Sequence, residues 1–539
     1  MPIIVPGVPT SRKTPGINFN VVLGGPGTSS GAATKSIMLL GNHFTSAITG
    51  ASPSFSVAGG SASAATVVSV PSAADAITLF GQGSELHRMV AAVFAQYPDA
   101  TLYACPVAEA SGTRASAVLT FVNAATAAFT IRMKICGITF DVPVASGAAI
   151  ATISEAVADA INDQADLPVT AQFALGATTI TAKQKGPRGN WIIVDAYFVA
   201  AGSTIETRIT TSSTTSPGAA TTGQWSSTGT LGSEITLTSG ATQDSFVNAL
   251  AAIEPTRYDR IVGACIEATN IGRIVTHINT NAGPTVQLLE QAIVPSVDTY
   301  ANAVTLATGQ NASRLQVAWH HASTLPAPEL AAQVAAARLN GDAGLGGFRA
   351  GEAVDPAANL DGIDLASVTM QRVPADRPTA TEVENALNNG LTVIGASSSR
   401  PGYGAITRSI TSRSLASGVP NYAVIDTAYV TVCDHVADDL RSYLTSQLAG
   451  AKLGADLANG QPASRAPNVT TPSIIRSLIL ARLYSYESNG ATRDVTLNAG
   501  LLAVEADSVT PGRVNCEIPV EPVSALHGVA GNVRQLASL

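Results

Sequence analysis

The stretch SELHRMVAAVFAQYPDATLYACPV (84–107) constrains the fold more than any other. Leu86, Met89, Val90, Val93, Phe94 and Tyr97 recur at helical spacing, Ser84 stands where an N-cap belongs, and Pro98 stops the run. ATLYACPV (100–107) then reads as a strand, and SIMLLG (36–41) before the helix reads as another. The order returns in TQDSFVNALAAI (242–253) as helix and YDRIVGACI (258–266) as strand. RLQVAWHH (314–321) and LTVIGAS (391–397) add two more short apolar runs with helical patterns nearby. Strands that alternate with helices predict an α/β fold built on a largely parallel sheet.

Between the first two of these units the pattern changes. From about 112 to 238 the chain is rich in Thr, Ser, Ala and Val, with alternating runs in AFTIRMKICGITFDVPV (128–144), ATTITAKQ (177–184) and NWIIVDAYFV (190–199). One helix is expected, ISEAVADAINDQ (153–164), and TTSSTTSPGAATTGQWSSTGT (210–230) reads as a Ser/Thr/Gly loop. The segment predicts a separate β-rich domain inserted in a loop of the α/β unit. The last third predicts two long helices, VIDTAYVTVCDHVADDLRSYLTSQL (424–448), with Ile425, Ala428, Val432, Val436, Leu440 and Leu444 in one stripe, and TPSIIRSLILARLYSYES (471–488), with Pro472 in its first turn. RVNCEIPV (513–520) alternates as a strand, and Pro519 confines it to an edge.

Composition decides between two surroundings for such a chain. Charged residues are 13% of the 539, against ~25% in ordinary soluble proteins, and hydrophobic residues are 46%. Residues 36–74 lack Asp, Glu, Lys and Arg, yet Gly, Ser, Thr, Asn and Pro interrupt them, so the long apolar run of a membrane span is missing. MPIIVPGVPTSRK shows no basic leader before an apolar run. The expectation is an intracellularly assembled protein, without membrane insertion, that buries much of its outside against neighbours. The net charge of −8 comes from interspersed residues, and the basic spots are Arg12-Lys13 and KQKGPR (183–188), so direct nucleic-acid binding is not expected. Cys105, Cys136, Cys265, Cys433 and Cys516 are scattered, without a C-x-x-C, and read as buried free thiols.

Signals of catalysis are weak. GTSSG (27–31) matches G-x-S-x-G with Ser29 in the nucleophile slot, but AATKSIMLLG after it reads as linker and strand where an elbow needs a helix. His320-His321 occupy adjacent strand positions that face opposite ways, which does not suit one shared metal. GLGGFRAG (344–351) is no complete phosphate-binding fingerprint. Asp438-Asp439 and Glu382/Glu384 read as solvated helix faces, while Arg400, Arg408 and Arg413 are spaced to meet an acidic partner or solvent. No catalytic, cofactor or metal residue is assigned.

The two ends carry the strongest functional signal. In PGINFNVVLGG (15–25), Ile17, Phe19, Val21 and Leu23 share one face of an extended segment, with Asn18 and Asn20 opposite. Pro2, Pro6, Pro9 and Pro15 precede it and Gly24-Gly25-Pro26-Gly27 follow, so it reads as an arm on a hinge. Near the other end Val529, Gly531 and Val533 repeat the alternation. A strand without a partner leaves backbone donors and acceptors unmet, so donation to a neighbouring subunit is expected, and a heterologous contact of that kind builds rings or helices. The residues expected in this exchange are Ile17, Phe19, Val21, Leu23, Ile518, Val520, Leu526, Val529, Val533 and Leu536.

The PGINF arm, HRMVAAVFAQYPDATLYACPVAEA (87–110), DLPVTA (166–171), ITAKQKGPRGN (180–190), TPSIIRSLILARLYSYESNG (471–490) and VSALHGVAGNVRQLA (523–537) stand in an order that resembles the Mu-like branch of bacteriophage contractile-tail sheath proteins. The resemblance runs over nearly the whole chain. It implies a non-enzymatic subunit, without cofactors, of hexameric rings stacked in a helical cylinder around a tail tube protein, with baseplate and tail terminator proteins as further partners. The virion tail would be its place and the host cytoplasm its site of assembly, and contraction would drive the tube through the host envelope. The implied division is an N-terminal arm and hinge (1–33), a subtilisin-like α/β domain in two parts (34–111 and 239–375), the inserted β-rich domain (112–238), an α+β assembly domain (376–522) and a C-terminal arm (523–539). An α/β hydrolase with an accessory β domain, a non-contractile shell protein and the sheath of a tailocin are the alternatives.

Overall fold

The computed structural model describes residues 35–533 apart from internal segments, the longest of which are 209–220, 226–234, 343–358 and 457–467. Its central feature is a nine-stranded sheet. Strand β1 (Ser36–Asn42) is buried at every position, as a strand covered on both faces must be. Helices α1 (Ala73–Phe80) and α2 (Glu85–Gln96) follow, and the Ser84 hydroxyl accepts from the His87 amide to cap α2. The chain returns as β2 (Thr101–Val107), parallel to β1.

The 114–237 segment has its own core, in which Leu119, Ile131, Met133, Val157, Ile161, Ile180 and Leu237 are buried. One sheet joins Thr221–Trp225, Arg114–Phe121, Ala177–Lys185 and Val169–Ala174, a second is built on Phe129–Ile135, Ile138–Val144 and Ile193–Ala200, and helix α3 (Ile150–Asp163) packs between strands. The tract expected to be a loop therefore contains a strand, Thr221–Trp225, which runs parallel to Arg114–Phe121. Its threonines favour extended backbone, and the neighbour supplies the ladder.

The large sheet resumes through α4 (Val247–Ile253), β3 (Arg260–Gly263), α5 (Ala268–Asn281), β4 (Gln291–Ser296), α6 (Tyr300–Gln310), β5 (Leu315–Trp319) and α7 (Ala327–Asp342). Then come β6 (Asp364–Thr369), α8 (Ala380–Asn388), β7 (Leu391–Ala396) and β8 (Tyr403–Ile406). Across the sheet the order is β6-β8-β7-β5-β4-β3-β1-β2, with Val68–Ser69 outside β2. The interior pairs are parallel, and antiparallel pairs occur at its edges. Helices α2 and α7 pack together, while α4, α5, α6 and α8 form a separate contact chain, so the sheet is covered on both sides. Helix α7 is rich in alanine and buried almost all round, which lets it lie close to β1, β3 and β4 beneath α2.

Helix α4 starts later than its pattern suggests. Its expected first turn includes Asp244, whose carboxylate is drawn into a buried ion cluster instead. Helices α9 (Thr427–Gln447) and α10 (Pro472–Ser488) follow, then a two-stranded antiparallel sheet of β9 (Ala503–Ala506) and β10 (Val514–Glu517). Val436, Leu440, Leu444, Ile479, Leu483 and Tyr486 bury a third core between them.

Candidate assembly interface

The C-terminal tail leaves this third core in two stages. Ile518 packs against the core and Val520 is 7% exposed, so both lie within the chain's own structure. Beyond them the backbone is tied down where the Arg493 amide donates to Glu521 O at 3.0 Å and the Val523 amide to Ala491 O at 3.1 Å. The Ser524 and Tyr429 hydroxyls meet at 2.8 Å, and the His527 ring lies 2.5 Å from an Asp361 carboxylate oxygen and 3.3 Å from one of Asp426. Around these tethers the apolar side chains turn outward. Leu526, Val529 and Val533 are 74%, 88% and 101% exposed. These large aliphatic groups stand in water on a segment with no strand partner among the described residues. Ile17, Phe19, Val21, Leu23 and Leu536 lie outside the described residues, as do Ser29 and GLGGFRAG.

Behind the tail, α9 lies along the amino ends of the parallel strands. Asp434 receives Arg314 through two contacts of 2.8 and 2.6 Å, with both side chains buried. The Gln291 amide donates to the same carboxylate at 3.3 Å. Asp438 takes Arg257 at 2.5 Å and Arg441 at 2.7 Å, while Asp439 takes Arg482 and the Tyr486 hydroxyl. The expectation that Asp438-Asp439 form a solvated face is thus corrected: the carboxylates point into two different joints. Arg408 is engaged within the chain too, in a two-point pair with Asp426. Arg400 stacks over Tyr403 at 3.6 Å, and Glu382 closes a capping box with Thr379.

The carboxyl ends of the strands meet the 114–237 segment through another set of buried ions. Arg188 reaches Glu85 at 2.7 Å and Asp244 at 2.6 Å. Arg88 pairs with Glu329 and donates to Asp166 O at 2.6 Å and Cys136 O at 3.0 Å. Burial pushes the Glu85 carboxyl up to about 7, with Arg188 pulling against it. KQKGPR is therefore not a basic patch: Arg188 is inside this cluster, and Lys183 is buried and donates to Ala165 O at 2.8 Å. Burial brings the Lys183 ammonium down to about 7. No local pattern announced these partners, because each pair joins residues far apart in the chain.

His320 is buried at the end of β5, and neither ring nitrogen has a hydrogen-bond partner among the described residues. Burial, with a smaller effect of His321, lowers its pKa from 6.5 to about 4. The unfolded chain therefore takes up this proton first, and stability falls as pH drops from 6.5 to about 4. His320→Gln is expected to flatten that slope, by about 3 kcal/mol at most. Urea denaturation of both proteins at several pH values in this window measures it, and parallel slopes would acquit His320. Cys105, Cys136 and Cys265 are buried, Cys433 and Cys516 half-buried, and none of the five is in a disulfide. Among the described residues no cluster of His, Cys, Asp or Glu could hold a metal, and no helix is long and apolar enough to cross a membrane.

With this geometry in view, the chain resembles the tail sheath proteins of Mu-like phages. It is 24% identical over 463 residues, 85% of this chain and 87% of the relative, to the Mu-like prophage FluMu tail sheath protein of Haemophilus influenzae. No protein-family model matches it. Among solved structures, the sheath tail protein of Desulfitobacterium hafniense aligns with 90% of this chain and 96% of its own, at 12% identity and a TM-score of 0.44. That of Listeria innocua aligns with 92% and 94%, at 13% identity and 0.45. A chain of the anti-feeding prophage baseplate aligns with 99% of both, at 11% identity and 0.42.

Proposed function

We propose that this chain is a structural subunit of a phage-type contractile tail sheath, without catalytic activity. Subunits polymerise as stacked rings around a tail tube, and contraction of the polymer drives the tube through the host envelope. The observation that carries this reading is the outward apolar tail of Leu526, Val529 and Val533, in a chain that matches a Mu-like tail sheath protein over most of both lengths. In this scheme residues 1–33 and 523–539 are arms that add to sheets in the 376–522 region of neighbouring subunits. Residues 34–111 and 239–375 make a subtilisin-like body, and 112–238 an inserted domain. Backbone hydrogen bonds across each exchanged strand contribute about 1 kcal/mol apiece, and a lattice sums them. The tube, baseplate and tail terminator are the other partners, and the virion tail is the location.

Electron microscopy of the purified protein at high concentration, alone and with assembled tail tubes, tests the reading. Hollow striated cylinders are expected. Discrete monomers or dimers under both conditions would refute it.

A further inference from the structure

The parallel strands lie in the order β2-β1-β3-β4-β5-β7, so the direction of winding reverses between β1 and β3. In open α/β sheets that reversal opens a crevice beyond the carboxyl ends of the two strands, and ligands of such folds lodge there. Here Asn42 ends β1 at the crevice, and the Arg188 guanidinium occupies it. We propose that this crevice is a guanidinium-binding site whose resident ligand is Arg188, and that filling it in cis seats the 112–238 segment on the α/β body.

The site is built from elements that are separate in sequence. Glu85, in the first turn of α2, faces Arg188 Nε at 2.7 Å. Asp244, in the approach to α4, faces Nη2 at 2.6 Å, and the Asn42 side-chain oxygen faces the same nitrogen at 3.0 Å. These acceptors are held from behind: the Asn42 amide donates to Glu85 at 2.7 Å, its side-chain nitrogen to Asp244 at 3.0 Å, and the Ala110 amide to Asp244 at 2.7 Å. Gly41 makes room, since a Cβ there would stand 3.1 Å from a Glu85 carboxylate oxygen and 3.1 Å from the Met89 sulfur. Asn42, Asp244 and Arg188 are all over nine-tenths buried, and Arg188 Nη1 has no partner among the described residues. Two carboxyl groups and an amide oxygen converging on one planar cation suit a guanidinium better than a neutral group or an anion.

Arg188→Ala in the full chain is the test. Removing one member of a buried pair exposes the rest to water, so amide exchange at Glu85 and Ala110 and protease cleavage in 108–113 and 239–246 are expected to rise on the order of a hundredfold. Millimolar ethylguanidinium should restore protection and raise the melting temperature of Arg188→Ala, but not of the parent or of Arg188→Ala combined with Asp244→Asn. Parent-like protection in Arg188→Ala, or an equal response of all three proteins to ethylguanidinium, would overturn the proposal. If Arg188→Ala does not fold alone, refolding only with ethylguanidinium supports it, and equal failure with and without overturns it.

Discussion

If the chain polymerises as proposed, replacing Leu526, Val529 and Val533 together by serine is expected to leave it folded and to prevent the polymer from forming. The three side chains are exposed in the subunit, so removing them forfeits little intrachain contact, and the change in stability should stay within about 0.5 kcal/mol. In a polymer the same side chains would be covered, each contributing about 1.5–3 kcal/mol on full burial. Loss of that from every contact of a lattice shifts the balance to free subunits. Thermal melts of the parent and the triple variant establish the first half, and sedimentation with electron microscopy the second. Cylinders of normal length from the triple variant would dissociate this tail from assembly.

The second large effect is on folding. Arg314→Met leaves the Asp434 carboxylate of α9 buried against the sheet with Gln291 as a weak remaining donor, and should cost about 3–5 kcal/mol. The double variant Arg314→Met with Asp434→Leu removes both charges. It should recover most of the loss, because a buried pair replaced by apolar groups of similar size is often neutral. Urea denaturation of the parent, both single variants and the double gives the coupling energy. A cost under about 1 kcal/mol for Arg314→Met would show that the joint is held by packing rather than by this pair.

Much of the sheet was legible in the sequence because its determinants are local. β1, β2, β5 and β7 follow from short apolar runs, and α2 from apolar spacing with Ser84 before it and Pro98 after it. The Thr221–Trp225 strand was missed, since Ser/Thr-rich text has no apolar alternation and its partner lies a hundred residues earlier. Ionic joints were least legible. Asp438 and Arg188 sit in stretches that look solvated, and the fold brings Arg257 to the first and Glu85 and Asp244 to the second within 3 Å. The scarcity of charge reads as a sign of occluded surface, and part of the little charge present lies inside these joints. Of the residues expected to exchange strands, Leu526, Val529 and Val533 project outward, whereas Ile518 and Val520 stay with their own core. The exchange itself remains part of the proposed function.

The placement of these joints has a mechanical consequence. α9 grips the sheet at the amino ends of β3, β4 and β5 through Arg260, Gln291 and Arg314. The 114–237 segment grips it at the opposite end, through Asn42 on β1 and Glu85 on α2. Tension between the two therefore enters and leaves the sheet on different strands at opposite ends. Such a force slides parallel strands past one another, so the ladder bonds between β1, β3 and β4 are strained together instead of opening in sequence. A pull applied between these two attachments would load the parallel ladder in shear.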